Sequence, residues 1–182
     1  MLLDQIPTPT HLRAEPAERG LVGSVLRDAD DSLDDVLRVI AGPEDFFSPV
    51  YALVFITAQN LRAAGKPVGA DTVFLALVQS GRAADLGESA SNFLADLLTD
   101  YPTAANATHY AEQVRQAALR RRVRREALRI LAETDCPPSC SADELTGQCE
   151  KAFRDLSDSG LRTADPIVLP ASFYERLIAF YA

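Results

Sequence analysis

Apolar side chains along the chain recur at the three-to-four residue spacing of helices, interrupted at short intervals by Gly and Pro. Leu21, Val22, Val25 and Leu26 fall on one side of a first helix that opens near Pro16, a residue tolerated in a first turn. Leu33, Val36, Leu37 and Ile40 follow the i, i+3, i+4, i+7 pattern of a second, capped from the acidic stretch 28–35 and closed by Gly42-Pro43. Ser48-Pro49 reads as a cap and an N1 proline for a third helix. Its stripe is Tyr51, Val54, Phe55, Ala58 and Leu61, and it ends at Gly65. A fourth is expected from about Ala70 to Ser80, and a fifth, carrying Phe93, Leu94, Leu97 and Leu98, stops before Pro102. No convincing period-two alternation marks a strand. The fold class predicted is therefore all-α. Residues 15–101 form a small globular helical bundle, preceded by an extended arm over 1–14 that Pro7 and Pro9 keep from coiling.

The pattern then changes. From Thr103 to about Glu133 there is neither Gly nor Pro, which predicts one helix of about 30 residues, roughly 45 Å long. Cys136-Pro137-Pro138-Ser139 must break it. Ser141 with Glu144 then makes a capping box for a helix whose stripe is Leu145, Cys149, Ala152, Phe153 and Leu156. Two helices about a tight proline turn predict an antiparallel hairpin over 102–160, longer than the bundle can cover. Such a hairpin asks for a partner. Residues 161–182 read as a linker and a short C-terminal docking helix, opened by Ser172 with Glu175. Phe173, Tyr174, Leu177 and Phe180 make that helix apolar, and one so short needs a surface, on its own bundle or on another chain.

Charge sharpens this picture. The 182 residues carry 18 basic and 26 acidic side chains, a net −8, which disfavours a general nucleic-acid coat or a membrane-surface binder. Only two of the basic residues are lysines, and seven of the sixteen arginines lie between residues 115 and 129. On a helix, Arg115, Arg121, Arg122, Arg125 and Arg129 share a face, while Leu119, Val123, Ala127 and Ile130 point elsewhere. An acidic body thus carries a basic rod. One reading is a solvated face, partly neutralised by Glu126 pairing with Arg122 and Arg129. The others are an acidic protein partner, another copy included, and direct contact with phosphates.

Candidate chemistry is sparse. A Walker A loop needs G-x-x-x-x-G-K-[ST], and neither Lys66, followed by Pro67, nor Lys151, preceded by Glu150, supplies one. Cys136, Cys140 and Cys149 are odd in number, which argues for a reducing compartment over a disulfide framework. With His11 and His109 in separate segments they form no metal-site spacing, and the aspartates at 28–35 lack the Gly and Glu of a calcium loop. No nucleophile or zinc-hydrolase motif is present. No catalytic residue, cofactor or metal is predicted. With no apolar run of membrane length and no secretory leader in MLLDQIPTPT, the expectation is a cytoplasmic protein without a membrane partner.

Four stretches together resemble the N-terminal domain of DnaB-type replicative DNA helicases. Residues 17–26, AERGLVGSVL, are similar to the family's A-E-x-x-x-L-G-x-x-L helix, with Pro16 where Glu is usual. Residues 43–56, PEDFFSPVYALVFI, resemble P-E-D-F-Y-x-P-x-H-x-x-I-F, with Tyr51 at the His position. Residues 65–81 look like G-x-P-x-D-x-x-T-V-x-x-x-L-x-x-x-G, and 101–123 like the P-S-A-A-N-x-x-Y-Y-A-x-x-V-R-x-x-x-L-x-R-x-L that starts the long hairpin helix. Coverage runs over about residues 9–158, in order.

The resemblance implies a globular subdomain plus a hairpin, dimerisation through hairpins, and a ring collar that binds primase and some helicase loaders. Carried onto this chain by helical phase, it nominates Tyr110, Val114, Arg121, Arg122, Arg125, Arg129, Leu145 and Phe153 as a protein interface. Phe173, Tyr174, Leu177 and Phe180 would be a docking face resembling the family's linker helix. The family's ATPase motor has no counterpart within these 182 residues, so no enzymatic activity is expected of this chain alone. The function expected is a non-catalytic assembly domain of a replicative helicase, with self, primase and possibly a loader as partners, and DNA contacted indirectly at most. The alternatives are a stand-alone collar mimic that regulates primase or helicase, and a single-strand binder using the arginine face.

Overall fold

The structure is a computed structural model that describes residues 7–87, 89–101, 103–135 and 141–160. Among these residues every regular element is helical: α1 (Glu15–Arg27), α2 (Ala29–Val39), α3 (Pro49–Ala63), α4 (Ala70–Gln79), α5 (Ala90–Asp100), α6 (Ala107–Asp135) and α7 (Ala142–Gly160). Three 3₁₀ turns, Thr10–Leu12, Pro43–Asp45 and Ala83–Leu86, join them. The chain divides into two compact units, residues 1–139, which hold α1–α6, and residues 140–182, which hold α7.

The first unit is built around α1. Every residue from Gly20 to Leu26 is buried, and the helix packs against α2, α3, α5 and α6. Leu21, Val22 and Val25 meet Leu33 and Val36 of α2, Val54 and Phe55 of α3, and Leu94 and Leu97 of α5 in one core. The first half of α6 completes that core with Ala107, Ala111 and Val114. Hydrophobic periodicity thus foretold both the elements and their inward faces. Gly65 and Gly81, at φ +68° and +70°, close α3 and α4. Each permits a Schellman turn, in which Lys66 N–H reaches Leu61 O and Arg82 N–H reaches Leu77 O.

Two boundaries differ from the periodicity reading. The N-terminal arm is not extended throughout, because Thr10–Leu12 coils into a turn that buries Leu12. The long helix starts at Ala107 rather than Thr103. There the Thr103 hydroxyl accepts the Ala105 N–H at 3.2 Å, and the Ala107 N–H turns back to Ala104 O. In the second unit the capping box of α7 forms as expected: Ser141 N–H donates to the Glu144 carboxylate at 2.8 Å, and Glu144 N–H to the Ser141 hydroxyl at 3.2 Å. That hydrogen bond to the Ser141 backbone holds the Glu144 carboxyl below its usual range. Residues 161–182, with the docking face proposed there, lie outside the described residues.

Two glycines set how closely α1 approaches its neighbours. A Cβ on Gly20 would lie 2.9 Å from the Tyr110 ring of α6, and one on Gly23 would lie 2.9 Å from the carbonyl oxygen of Leu97 in α5. The second contact is with backbone, which cannot rotate away. Gly23→Ala is therefore expected to lower unfolding free energy by about 1–3 kcal/mol, measured by urea denaturation, despite alanine's better helix propensity. Unchanged or raised stability would show that α1 and α5 can separate freely.

Candidate interaction surface on the long helix

The functional face nominated by the sequence lies on α6, and the structure sorts its residues into inward and outward groups. Val114 is fully buried in the core, so its side chain serves the bundle. Tyr110 is half-buried and meets Tyr101 edge-on, with ring centroids 5.8 Å apart. The Tyr101 hydroxyl donates to Pro16 O at 3.3 Å, tying this aromatic pair to the start of α1. Ala117 and Ala118 are the last buried residues of α6, and from Leu119 onward no described residue of the helix is fully buried.

From Arg120 the arginines come in close succession, and two of them turn inward. Arg121 donates to Leu12 O at 2.8 Å and to the carbonyl of Asp45. Arg122 ion-pairs with the Asp45 carboxylate at 2.6 Å, not with Glu126 as simple helical spacing suggested. Asp45 is 2% exposed and also accepts the Ala41 N–H at 2.8 Å. Beside it lies a second buried carboxylate, Glu18 of α1. It accepts N–H bonds from Phe47 and, at 3.0 Å, from Ser48, the N-cap residue of α3. Glu18 therefore caps α3 from a different helix, where the Ser48 side chain itself makes no cap. Burial pushes the Glu18 carboxyl above its ordinary value, opposed by those two N–H groups and by Arg121. The same burial pulls Arg121 down, opposed by Glu18 and Asp45.

Phe47 completes the lock. The guanidinium carbons of Arg13 and Arg121 lie 5.4 and 5.9 Å from its ring centroid, a cation–π pair that fastens the N-terminal arm to α6. Helical phase singled out Arg121 and Arg122 but not this use of them. Glu18, Asp45 and Phe47 were visible only as members of the A-E and P-E-D-F stretches. A carboxylate held inside an otherwise apolar motif was the available signal.

The remaining arginines of the run are partly or fully exposed. Arg129 pairs with Glu126 and Glu133 of its own helix, and its hydrogen bond to Glu126 chiefly raises its pKa. Arg124 reaches Pro7 O at 3.2 Å. Arg120 and Arg125 are exposed, and Leu131 beyond them is 48% exposed. Leu145 and Phe153 share one side of α7 in the second unit. Within the first unit, the nominated residues thus divide between the core, the contacts to Asp45 and Leu12, and the exposed face. Among the described residues no group of three or more His, Cys, Asp or Glu is placed to hold a metal ion, and no helix is long and apolar enough to cross a membrane.

Comparison with known proteins agrees with this architecture. Residues 10–116 match the family model described as the DnaB-like helicase N terminal domain. Relatives named replicative DNA helicase DnaB include those of Buchnera aphidicola, 27% identical over 146 residues, and Leifsonia xyli, 32% identical over 127 residues. These matches take in 80% and 70% of this chain but only 31% and 27% of the relatives, which are much longer proteins. The crystal structure of the N-terminal domain of DnaB helicase from Mycobacterium tuberculosis superposes with a TM-score of 0.69 at 28% identity. That superposition covers 76% of this chain and 94% of the other. With the family's region spanning α1 to α5, the buried carboxylates Glu18 and Asp45 and the start of α6, this chain belongs to the DnaB-like helicase N-terminal domain family.

Proposed function

We propose that this chain acts as the non-catalytic assembly domain of a replicative DNA helicase. It would associate with further copies through the distal half of α6 together with α7, and present the resulting collar to primase or a helicase loader. The observation that carries this reading is the asymmetry of α6. Its first half is consumed by the core, while its second half continues as helix with no fully buried residue and with Leu131 half exposed. A helix continued beyond its own core is stabilised by a partner more readily than by propensity alone. Membership of a helicase family supports the reading that the partner is a replication protein or a second copy. Arg125, Arg129, Leu145 and Phe153 remain the interface proposed, whereas Val114 is committed to the bundle. Binding to primase and ring assembly rest on the resemblance to replicative helicases alone, and the docking role of Phe173, Tyr174, Leu177 and Phe180 is part of the same proposal.

Sedimentation and light scattering test it. A dimer or larger species is expected, and Arg125→Glu combined with Leu131→Asp is expected to weaken association by about tenfold or more while leaving the helical circular dichroism unchanged. Mixing the chain with the helicase-binding domain of a cognate primase is expected to give a complex on a sizing column. A strictly monomeric profile with no complex would overturn the proposal. Steeply salt-dependent binding to single-stranded DNA in place of either would favour direct phosphate contact instead.

A further inference from the structure

Both histidines of the chain, 98 positions apart in sequence, line one cleft of about 490 Å³ on the first unit. One wall is a continuous stripe of α6, His109, Glu112, Gln113, Gln116, Ala117 and Arg120. The other is formed by His11, in the 3₁₀ turn that the Arg121–Leu12 bond holds against α6, and by the start of α1. Ala14, Pro16, Ala17 and Ala117 supply small apolar surface between them.

The stripe from His109 to Arg120 is about 16 Å long at 1.5 Å per residue, the span of about five residues of extended peptide. Its charge is polarised. Glu112 lies three residues from His109 at one end, and Arg120 stands at the other. Arg121, Arg122 and Arg129 are engaged within the chain, but Arg120 has no ion pair or hydrogen bond among the described residues. The His109 imidazole and two side-chain amides, Gln113 and Gln116, add donors along the same stripe, with His109 and Gln113 already 2.8 Å apart, and the His11 imidazole faces them from the opposite wall. On a chain of net charge −8, a trough offering an uncommitted guanidinium and so many donors selects for carboxylates.

We propose that this cleft docks an extended acidic peptide segment of a partner protein, with a carboxylate at the Arg120 end. It is separate from the distal half of α6 proposed for self-association, so either can fail alone. The probe is a fluorescein-labelled, N-acetylated tetra-aspartate peptide, followed by anisotropy at low salt, with tetra-lysine as counterpart. Tetra-aspartate is expected to bind, tetra-lysine not, and the His11 and His109 ring resonances are expected to shift on titration. Arg120→Glu is expected to weaken binding by about tenfold or more, and His11→Ala by less. Lys66→Glu makes the same charge change away from the cleft and is expected to leave binding within about twofold. Equal binding of both peptides, or equal loss with Lys66→Glu, would reduce the effect to net charge and overturn the proposal. An oligothymidylate that binds more tightly than tetra-aspartate through Arg120 would also overturn it, in favour of nucleic acid.

Discussion

Glu18→Ala is expected to lower the unfolding free energy by about 3–5 kcal/mol in urea denaturation, the largest single-residue effect in the first unit. The side chain is fully buried, and truncation removes the acceptor for two backbone N–H groups, those of Phe47 and Ser48, at the start of α3. Each orphaned buried donor costs about 1–3 kcal/mol, and Arg121 loses a neighbouring opposite charge as well. Glu18→Gln keeps one acceptor but turns an amide N–H₂ toward a donor, so an intermediate loss is expected. The pH dependence separates charge from shape. Because burial raises the folded carboxyl above its unfolded value, the native state holds its proton more tightly than the unfolded chain. The stability of the wild type relative to Glu18→Gln is thus greatest below the ordinary glutamate range and declines as pH rises through the raised value. A difference that instead grew with pH over that range would show that the N–H groups and Arg121 outweigh desolvation.

This carboxylate marks the limit of what was legible in the sequence. Leu21, Val25, Leu33, Val36, Val54, Phe55, Leu94 and Leu97 are all buried on the faces their spacing assigned, since apolar burial follows directly from periodicity. Helix ends followed local chemistry where that chemistry is local, as at Gly65, Gly81 and Ser141–Glu144. The arginine run is where the reading and the structure part. Helical phase placed Arg121 and Arg122 on one face with Arg125 and Arg129, but phase cannot tell a solvated face from one that meets the 3₁₀ turn at Pro43–Asp45 and the arm at Leu12. Those contacts join residues 76 to 109 positions apart. Sequence spacing carries no information at that range. Convergence of His11 and His109 on one cleft is hidden for the same reason.

Arg121→Ala is expected to cost about 2–4 kcal/mol, next in size to Glu18→Ala, and the way it is lost decides what the residue is for. Truncation leaves the carbonyls of Leu12 and Asp45 without their donor and removes one of the two guanidiniums over Phe47. Arg121→Lys keeps the charge near Glu18 and Asp45, but an ammonium cannot span two carbonyls on different segments, so about half the loss should persist. Amide exchange in residues 10–13 is expected to speed up in both variants, because the arm is fastened to α6 through this side chain and Phe47. Were Arg121 an interface residue, its loss would be concentration-dependent and would vanish for the isolated monomer. A loss independent of protein concentration assigns it to the lock. The double mutant with Glu18→Gln then measures their coupling, expected at about 1–2 kcal/mol for neighbouring buried partners, and additive losses would mean the two groups act on the arm and on α3 separately.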